Sequence, residues 1–450
     1  MRLSDLLLDH PFGDDEELLF TVDASMTLGE ARHRVREISE RLDVGAGQAV
    51  AVRLPNGPEL LCTMAAIWSK GAVLVPLNDR LPAGEIEDIL VETGAAVLVD
   101  LEGVHRIEGT MVHPDDVAFI VWTSGTTGRP KPILHTHTGY LELLDRVLGP
   151  LRGQGERSGP PTPNLIPVSM ALNAGLYNCL FGLRAGAAVV MMDRFSADEF
   201  AVLVRRFQIR STVLPPAAMV MLLDSDIGDL APLRYVRSIT APLSPLHARR
   251  FSERFGTFVL NSYGQAEMGE VVGWTAKDAK EHPEKVGAAG RPLPGVQVRL
   301  DGEGHLLVRP PNAAVGIEDR RDEDGFIDTG DIARIDEDGF VWIEGRVSDL
   351  INRGGNKVFP DSVEEVLRLH GSVADAAVVG VPDDRLGEVP VAYIVGGAFD
   401  PAVLEQHCRE HLVAYKVPAA FIGIDALPRS EVGKVLRREL VDLWTAGRRI

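Results

Sequence analysis

Residues 117–131 read VAFIVWTSGTTGRPK. The first six are apolar and rich in β-branched and aromatic side chains, the composition of a strand buried on both faces. The remaining nine are small, hydroxylated or basic. Gly125 and Gly128 let main-chain amides approach an anion closely and adopt positive φ at little cost. Thr123, Ser124, Thr126 and Thr127 add hydroxyl donors, and Lys131 adds a point charge. The stretch therefore predicts a strand that ends in a polyphosphate clamp. It is not of the Walker type, because the spacing from glycine to Gly-Lys is wrong and Pro130 precedes the lysine.

Working outward, the same strand signature recurs at QAVAVRL (48–54), AVLVPL (72–77), AAVLVD (95–100), AAVVMM (187–192) and STVLPP (211–216). Between such runs Leu28, Ala31, Val35, Ile38 and Leu42 keep the three- and four-residue steps of an amphipathic helix. Strands alternating with helices imply an α/β domain with mainly parallel sheets. From 286 to 345 the pattern changes: VQVRLDGEGHLLVRP and FIDTGDIARIDEDGFVWIEG alternate around turns at Gly302 to Gly304 and Asp336 to Gly339, predicting a smaller antiparallel sheet. The last hundred or so residues resume mixed helix and strand, enough for a small α+β domain. The expected domains are thus 1–345 and 346–450. RGQGERSGPPTPN (152–164) is expected to be a surface loop.

The 450 residues carry 46 Lys and Arg against 65 Asp and Glu, a formal charge of −19. Such a balance repels phosphate backbones and anionic membranes, and no local basic patch offsets it. Small anionic ligands remain compatible. Cys62, Cys179 and Cys408 stand too far apart for a metal site or a disulfide framework. The first twenty residues lack a basic leader, so the cytoplasm is the expected compartment. Leu165 to Leu183 is uncharged, but its prolines, asparagines and glycines predict a buried wall rather than a membrane span.

Further motifs follow in order: KGAVLVPLN (70–78), APLSP (241–245), NSYGQAE (261–267), DTGD (328–331), GRVSDLINRGGNKVFP (345–360), PDDRLGE (382–388) and AYKVPAAFIGIDALPRSEVGKVLRREL (414–440). With the phosphate loop, they resemble the adenylate-forming superfamily of acyl-CoA and aryl-CoA synthetases, luciferases and peptide-synthetase adenylation domains, nearly end to end. That resemblance implies a large nucleotide- and acid-binding domain followed by a small mobile one. It also implies activation of a carboxylic acid by ATP with release of pyrophosphate, then transfer of the acyl group to a thiol.

The resemblance assigns roles residue by residue. Lys434 matches the lysine that bridges carboxylate and α-phosphate, and Thr127 of the phosphate loop joins the catalytic set. Glu267 matches the acid that holds Mg²⁺, a hard cation suited to carboxylate and phosphate oxygens. Asp331 matches the acceptor of both ribose hydroxyls, and Arg346 the residue that also reaches the ribose. Tyr263 is expected to stack on adenine, with Ala241 and Pro242 lining its other side. Asn261 and Gly264 complete the nucleotide set from the same run. Ser348 falls at the hinge position, and Gly354 and Gly355 at the loop that lines a pantetheine tunnel, which suggests CoA as the thiol.

Three departures bear on the acid. Ala266 stands where the family usually has threonine, removing a donor to the α-phosphate. Ile239 and Thr240 replace glycines at the pocket floor, which predicts a small or flat acid. Met170, Leu172 and Asn173 replace the usual His or aromatic gate, so Asn173, Gly175, Thr240 and Ala266 form the expected substrate pocket. The resulting expectation is an ATP- and Mg²⁺-dependent acid:CoA ligase acting on a short or aromatic acid. The alternatives are transfer to a carrier protein, nitrite activation for aryl diazotisation, or a catalytically silent nucleotide-binding relative.

Overall fold

The computed structural model describes residues 1–123, 131–151, 161–429 and 435–447. The apolar run of the first motif is the strand Val117–Thr123, with Val117 through Val121 buried. It lies between the parallel strand Val73–Pro76 and the antiparallel strand Lys131–Thr136. The six-stranded sheet runs in the order Gly103–Arg106, Val97–Asp100, Ala49–Val52, Val73–Pro76, Val117–Thr123, Lys131–Thr136. Its four inner strands are parallel and both edges antiparallel. Successive residues feed two separate cores, Val50 and Val52 on one face and Ala49 and Ala51 on the other, the two-residue period of a sheet covered on both sides. Helix Leu28–Arg41 buries Leu28, Ala31, Val35 and Ile38 as the spacing requires, and Thr27 with Glu30 closes a capping box at its start.

A second sheet joins Ser25–Thr27, Glu17–Phe20, Val189–Met191 and Asn164–Ile166. Asn164 therefore corrects the loop expected over 152–164. It pairs with Val189 at a strand start, and 152–160 lie outside the described residues. The uncharged stretch from Leu165 divides between that strand and helix Asn173–Arg184, most of it buried. Among the described residues no helix is long and apolar enough to cross a membrane.

The third sheet positions the site. Ser211–Leu214, Tyr235–Ser238 and Phe258–Gln265 are parallel, and the last turns back through Gly264 to Gly269 into the antiparallel Gly269–Gly273 and Arg291–Pro292. Gly264 is fixed by sterics, since a Cβ there would stand 2.1 Å from the Gly269 carbonyl oxygen. The predicted antiparallel unit comprises Gln297–Leu300, His305–Arg309, Ile327–Ile335 and Val341–Arg346.

After Arg346 and the 3₁₀ turn Val347–Asp349, the chain builds a separate sheet from Ile351–Arg353, Asn356–Val358, Val373–Asp383, Gly387–Gly396 and Ala420–Gly423. Its apolar residues, from Ile351 to Leu440, cluster only with one another among the described residues. Helices Pro360–Arg368 and Arg437–Gly447 pack on this sheet through a buried ionic group. Glu364, 4 % exposed, accepts hydrogen bonds from Arg437, from Arg368 (3.2 Å) and from the Val378 amide (2.8 Å). Arg437 also meets Asp361 at 2.7 Å and Asp349 at 3.3 Å.

Candidate active site

Where the third and fourth sheets meet, one carboxylate collects several donors. Asp331 pairs in register with Arg346 across two antiparallel strands, and Arg346 Nε donates to its Oδ1 at 3.0 Å. The Tyr263 hydroxyl donates to Oδ2, and Gln265 Nε2 reaches the same oxygen at 3.2 Å and the Thr329 carbonyl at 2.7 Å. Tyr263 and Gln265 come from the end of strand Phe258–Gln265, where the register shifts after Tyr263, and both side chains meet at this oxygen. Asp331 is 3 % exposed, and its amide is held by Thr329 Oγ1, whose own proton goes to the Leu306 carbonyl. Burial, with the negative charge of Asp331, pushes the Tyr263 hydroxyl well above its ordinary pKa, so it stays a donor. The site thus presents a rigidly held carboxylate acceptor with an aromatic ring beside it.

Glu267 follows one turn later. It is nearly buried, and its Oε1 accepts from Arg320 Nη1 at 2.7 Å, while Arg320 Nη2 donates to the Asp328 carbonyl at 3.1 Å. Among the described residues no three potential metal-ligating side chains come together. The donor set is therefore one hard carboxylate oxygen, which fits an Mg²⁺ ion carried mainly by phosphate oxygens and water, not a resident metal. His135 stands in the same small cavity as Glu267, Tyr140, Leu143 and Asn312. It stacks on Phe119 at 4.8 Å, and burial lowers its pKa to about 4, so it is neutral.

The residues expected to line the acid pocket are placed as follows. Thr240 carries a φ of +74°, a conformation natural to glycine and strained for a β-branched residue, and its hydroxyl is buried without a partner. Asn173 Oδ1 accepts from the buried Tyr140 hydroxyl at 2.8 Å. Gly175 is demanded by packing, since a Cβ would stand 2.1 Å from the Ser169 carbonyl oxygen. Met170, at the gate position, is fully buried, its amide held by Asn56, which also grips the Val168 and Met192 carbonyls. Ala241 is half-buried and Pro242 exposed, next to Thr240. Asn261 acts as a fastener: its side chain donates to the Ala288 carbonyl at 3.1 Å and accepts from Ser262 N.

Gly354 and Gly355, with φ of +57° and +88°, form the two-residue turn of the hairpin Ile351–Arg353/Asn356–Val358, a turn that requires positive φ at both positions. Ser348 Oγ donates to Asp349 within the 3₁₀ turn. Ser124, Gly125, Thr126, Thr127, Gly128 and Lys434 lie outside the described residues, as do the side chains of Thr123 and Lys131. Gln265, Arg320, His135 and Asn56 were not singled out by the sequence. Gln265 was inside a quoted motif, whereas the other three carry no local signal.

Known proteins resemble the chain over most of its length. A family profile described as AMP-binding enzyme matches residues 10–111 and 101–316, and one described as AMP-binding enzyme C-terminal domain matches 362–434. A 3-[(3aS,4S,7aS)-7a-methyl-1,5-dioxo-octahydro-1H-inden-4-yl]propanoyl:CoA ligase of Rhodococcus jostii is 31 % identical, over 93 % of this chain and 94 % of its own. A 2-succinylbenzoate–CoA ligase of Bacillus cereus is 30 % identical over 93 % of each. The solved o-succinylbenzoate CoA synthetase of Bacillus subtilis, in complex with its acyl-adenylate intermediate, superposes with a TM-score of 0.84 at 25 % identity over 97 % of each chain.

Proposed function

Because the chain belongs to the AMP-binding enzyme family, we propose that it activates a carboxylic acid with ATP and passes the acyl group to CoA. In the first step a carboxylate oxygen of the acid bonds to the α-phosphorus, and pyrophosphate leaves with the bridging electron pair. In the second the CoA sulfur bonds to the acyl carbon, its proton is lost, and AMP leaves. The observation that carries this reading is the fixed carboxylate of Asp331, gripped by Arg346 and Gln265 beside Tyr263. A carboxylate acceptor in that setting suits the paired hydroxyls of a ribose, and the neighbouring ring suits a purine.

Asp331 and Arg346 are assigned to the ribose, Tyr263 with Ala241 and Pro242 to adenine, and Asn261 and Gly264 to shaping that wall. Residues 123–128 and Lys131 are assigned to the phosphates. Lys434 is assigned to neutralising the two anions that meet in the first step. When bound, Mg²⁺ would neutralise phosphate charge, and Glu267 is the residue to hold it, exchanging Arg320 for the metal. Domains 1–345 and 346–450, joined at Ser348, fit the division of apolar clusters on either side of the Val347–Asp349 turn. Ser348 as hinge, and Gly354 and Gly355 as the pantetheine wall, complete the assignment. The buried, unpaired thiols of Cys62, Cys179 and Cys408 favour the cytoplasm.

The relatives named above are CoA ligases by name, and nothing in the site favours carrier-protein transfer or nitrite activation. The test is product analysis over a panel of short, aromatic and polycyclic acids. AMP and pyrophosphate formed only with acid, and a thioester formed only on adding CoA, support the reading. Pyrophosphate release that needs nitrite and ignores CoA would overturn it.

A further inference from the structure

Arg146 lies on helix His137–Leu151, and its Nη2 donates to the carbonyls of Met268 and Glu270, both at 3.1 Å. Its Nε and Nη1 are buried and meet no acceptor among the described residues, and the buried Tyr177 hydroxyl has no partner among them either. Buried donors left unmade cost about 1 to 3 kcal/mol each, so a folded protein retains them where something else supplies the acceptor.

The charges around them leave a surplus. Arg237 is paired with Glu270, whereas Arg146 has no carboxylate partner among the described residues. Glu270 joins the two arginines, its carbonyl accepting from Arg146 and its carboxylate from Arg237, and the Tyr177 ring packs edge-on at 6.3 Å against Tyr140 of the helix that carries Arg146. Two arginines against one glutamate leave one net positive charge there, partly buried, in a chain of formal charge −19.

The elements that supply these groups also carry the acid-pocket residues. Tyr177 is one helical turn beyond Asn173. Arg237 is on the strand that runs into Ile239 and Thr240. Glu270 is the second residue of strand Gly269–Gly273, just after Ala266 and Glu267. We propose that Arg146, with the Tyr177 hydroxyl, recognises a second carboxylate on the acid substrate, remote from the carboxylate that is activated, so that the preferred substrates are small or flat dicarboxylic acids. The inference rests on the adenylation reading and names its substrate class. A carboxylate suits the site better than a neutral oxygen because it satisfies the donors and cancels the surplus charge together.

The test compares ATP–pyrophosphate exchange for matched probes, benzoate against isophthalate and butyrate against glutarate, in the wild type, Arg146→Met and Tyr177→Phe. The expected wild-type preference in kcat/KM for the dicarboxylate is about 100-fold, because a site built to hydrogen-bond a group rejects analogues lacking it. Arg146→Met should bring that ratio near one, and Tyr177→Phe should lower it severalfold. A wild type that prefers the monocarboxylates, or a ratio unmoved in both variants, would overturn the inference and leave adenylation standing. Exchange with no acid at all would instead sink the adenylation reading. The inference is then decided by isophthalate-induced thermal stabilisation, which supports it if lost in Arg146→Met and overturns it if equal in both proteins. Should Arg146→Met not fold, Tyr177→Phe decides by the same readouts.

Discussion

Asp331 shows how one side chain is prepared for a ligand by its neighbours. Its two oxygens are already oriented by Arg346, Tyr263 and Gln265, so on the proposed assignment a ribose would meet a fixed acceptor, not one it must first order. Asp331→Ala should raise the KM for ATP at least tenfold with a much smaller change in the KM for acid, read by initial rates with each substrate varied. Equal changes in both would remove Asp331 from the nucleotide. Thr240 makes the opposite case, a residue working against its own backbone. At φ +74° a threonine costs about 1 to 2 kcal/mol relative to glycine. Its buried, unpartnered hydroxyl adds to that cost. Thr240→Gly should therefore raise stability by about 1 kcal/mol after the glycine's greater chain entropy is deducted, and should admit longer acids. A destabilised variant with unchanged acid preference would contradict both the strain and the pocket assignment.

At the scale of elements, the ionic group beneath helix Pro360–Arg368 ties together parts that are distant in sequence. Arg437 joins Glu364 and Asp361 on that helix to Asp349 beside the hinge position, and Arg368 and Arg429 both meet Asp375. Arg429 and Arg437, which stand on either side of Lys434 in sequence, are both held by these carboxylates. Glu364→Ala leaves two buried guanidinium groups short of their counter-charge and should cost about 3 to 5 kcal/mol in denaturant unfolding of the C-terminal part. A loss below about 1 kcal/mol would show that the group is not a fastener. The four parallel strands of the first sheet were legible in the sequence because burial on both faces writes itself as unbroken apolar runs, whereas the edge strands Gly103–Arg106 and Lys131–Thr136 carry no such run and were not read. Glu17–Phe20 and Ser25–Thr27 were not legible either, since both are short; the first takes its register from Val189–Met191, far along the chain, and the second pairs with the first. The Gly354–Gly355 pair was read through a resemblance alone, whereas its positive φ values already account for both glycines as a hairpin turn.

For the molecule as a whole, three buried histidines link stability to acid. His10, His135 and His137 have pKa values lowered to about 4, chiefly by burial, from an ordinary 6.5. Between those values the unfolded chain binds more protons than the native one, so stability is present above about 6.5 and is lost as pH falls toward about 4. Each contributes up to about 3 kcal/mol to that loss. Urea unfolding over this window should show a steep fall that becomes shallower in His137→Asn, and an unchanged slope in that variant would contradict the linkage.

The nucleotide motifs of the site were readable from sequence because glycines, hydroxyls and acids in fixed order carry their chemistry locally. The partners that hold them were not, because Arg320 reaches Glu267 and Arg146 reaches Met268 only after distant strands have packed. The central claim spans both lobes: an acid is made into an adenylate by a nucleotide site in 1–345 and a lysine carried by 346–450. Its most direct test is acid-dependent exchange of labelled pyrophosphate into ATP, measured in the wild type and in Lys434→Ala. The account predicts exchange in the first, none in the second, and thioester formation by both when the acyl adenylate and CoA are supplied. Equal exchange in the two proteins, or none in the wild type with any acid, would contradict it.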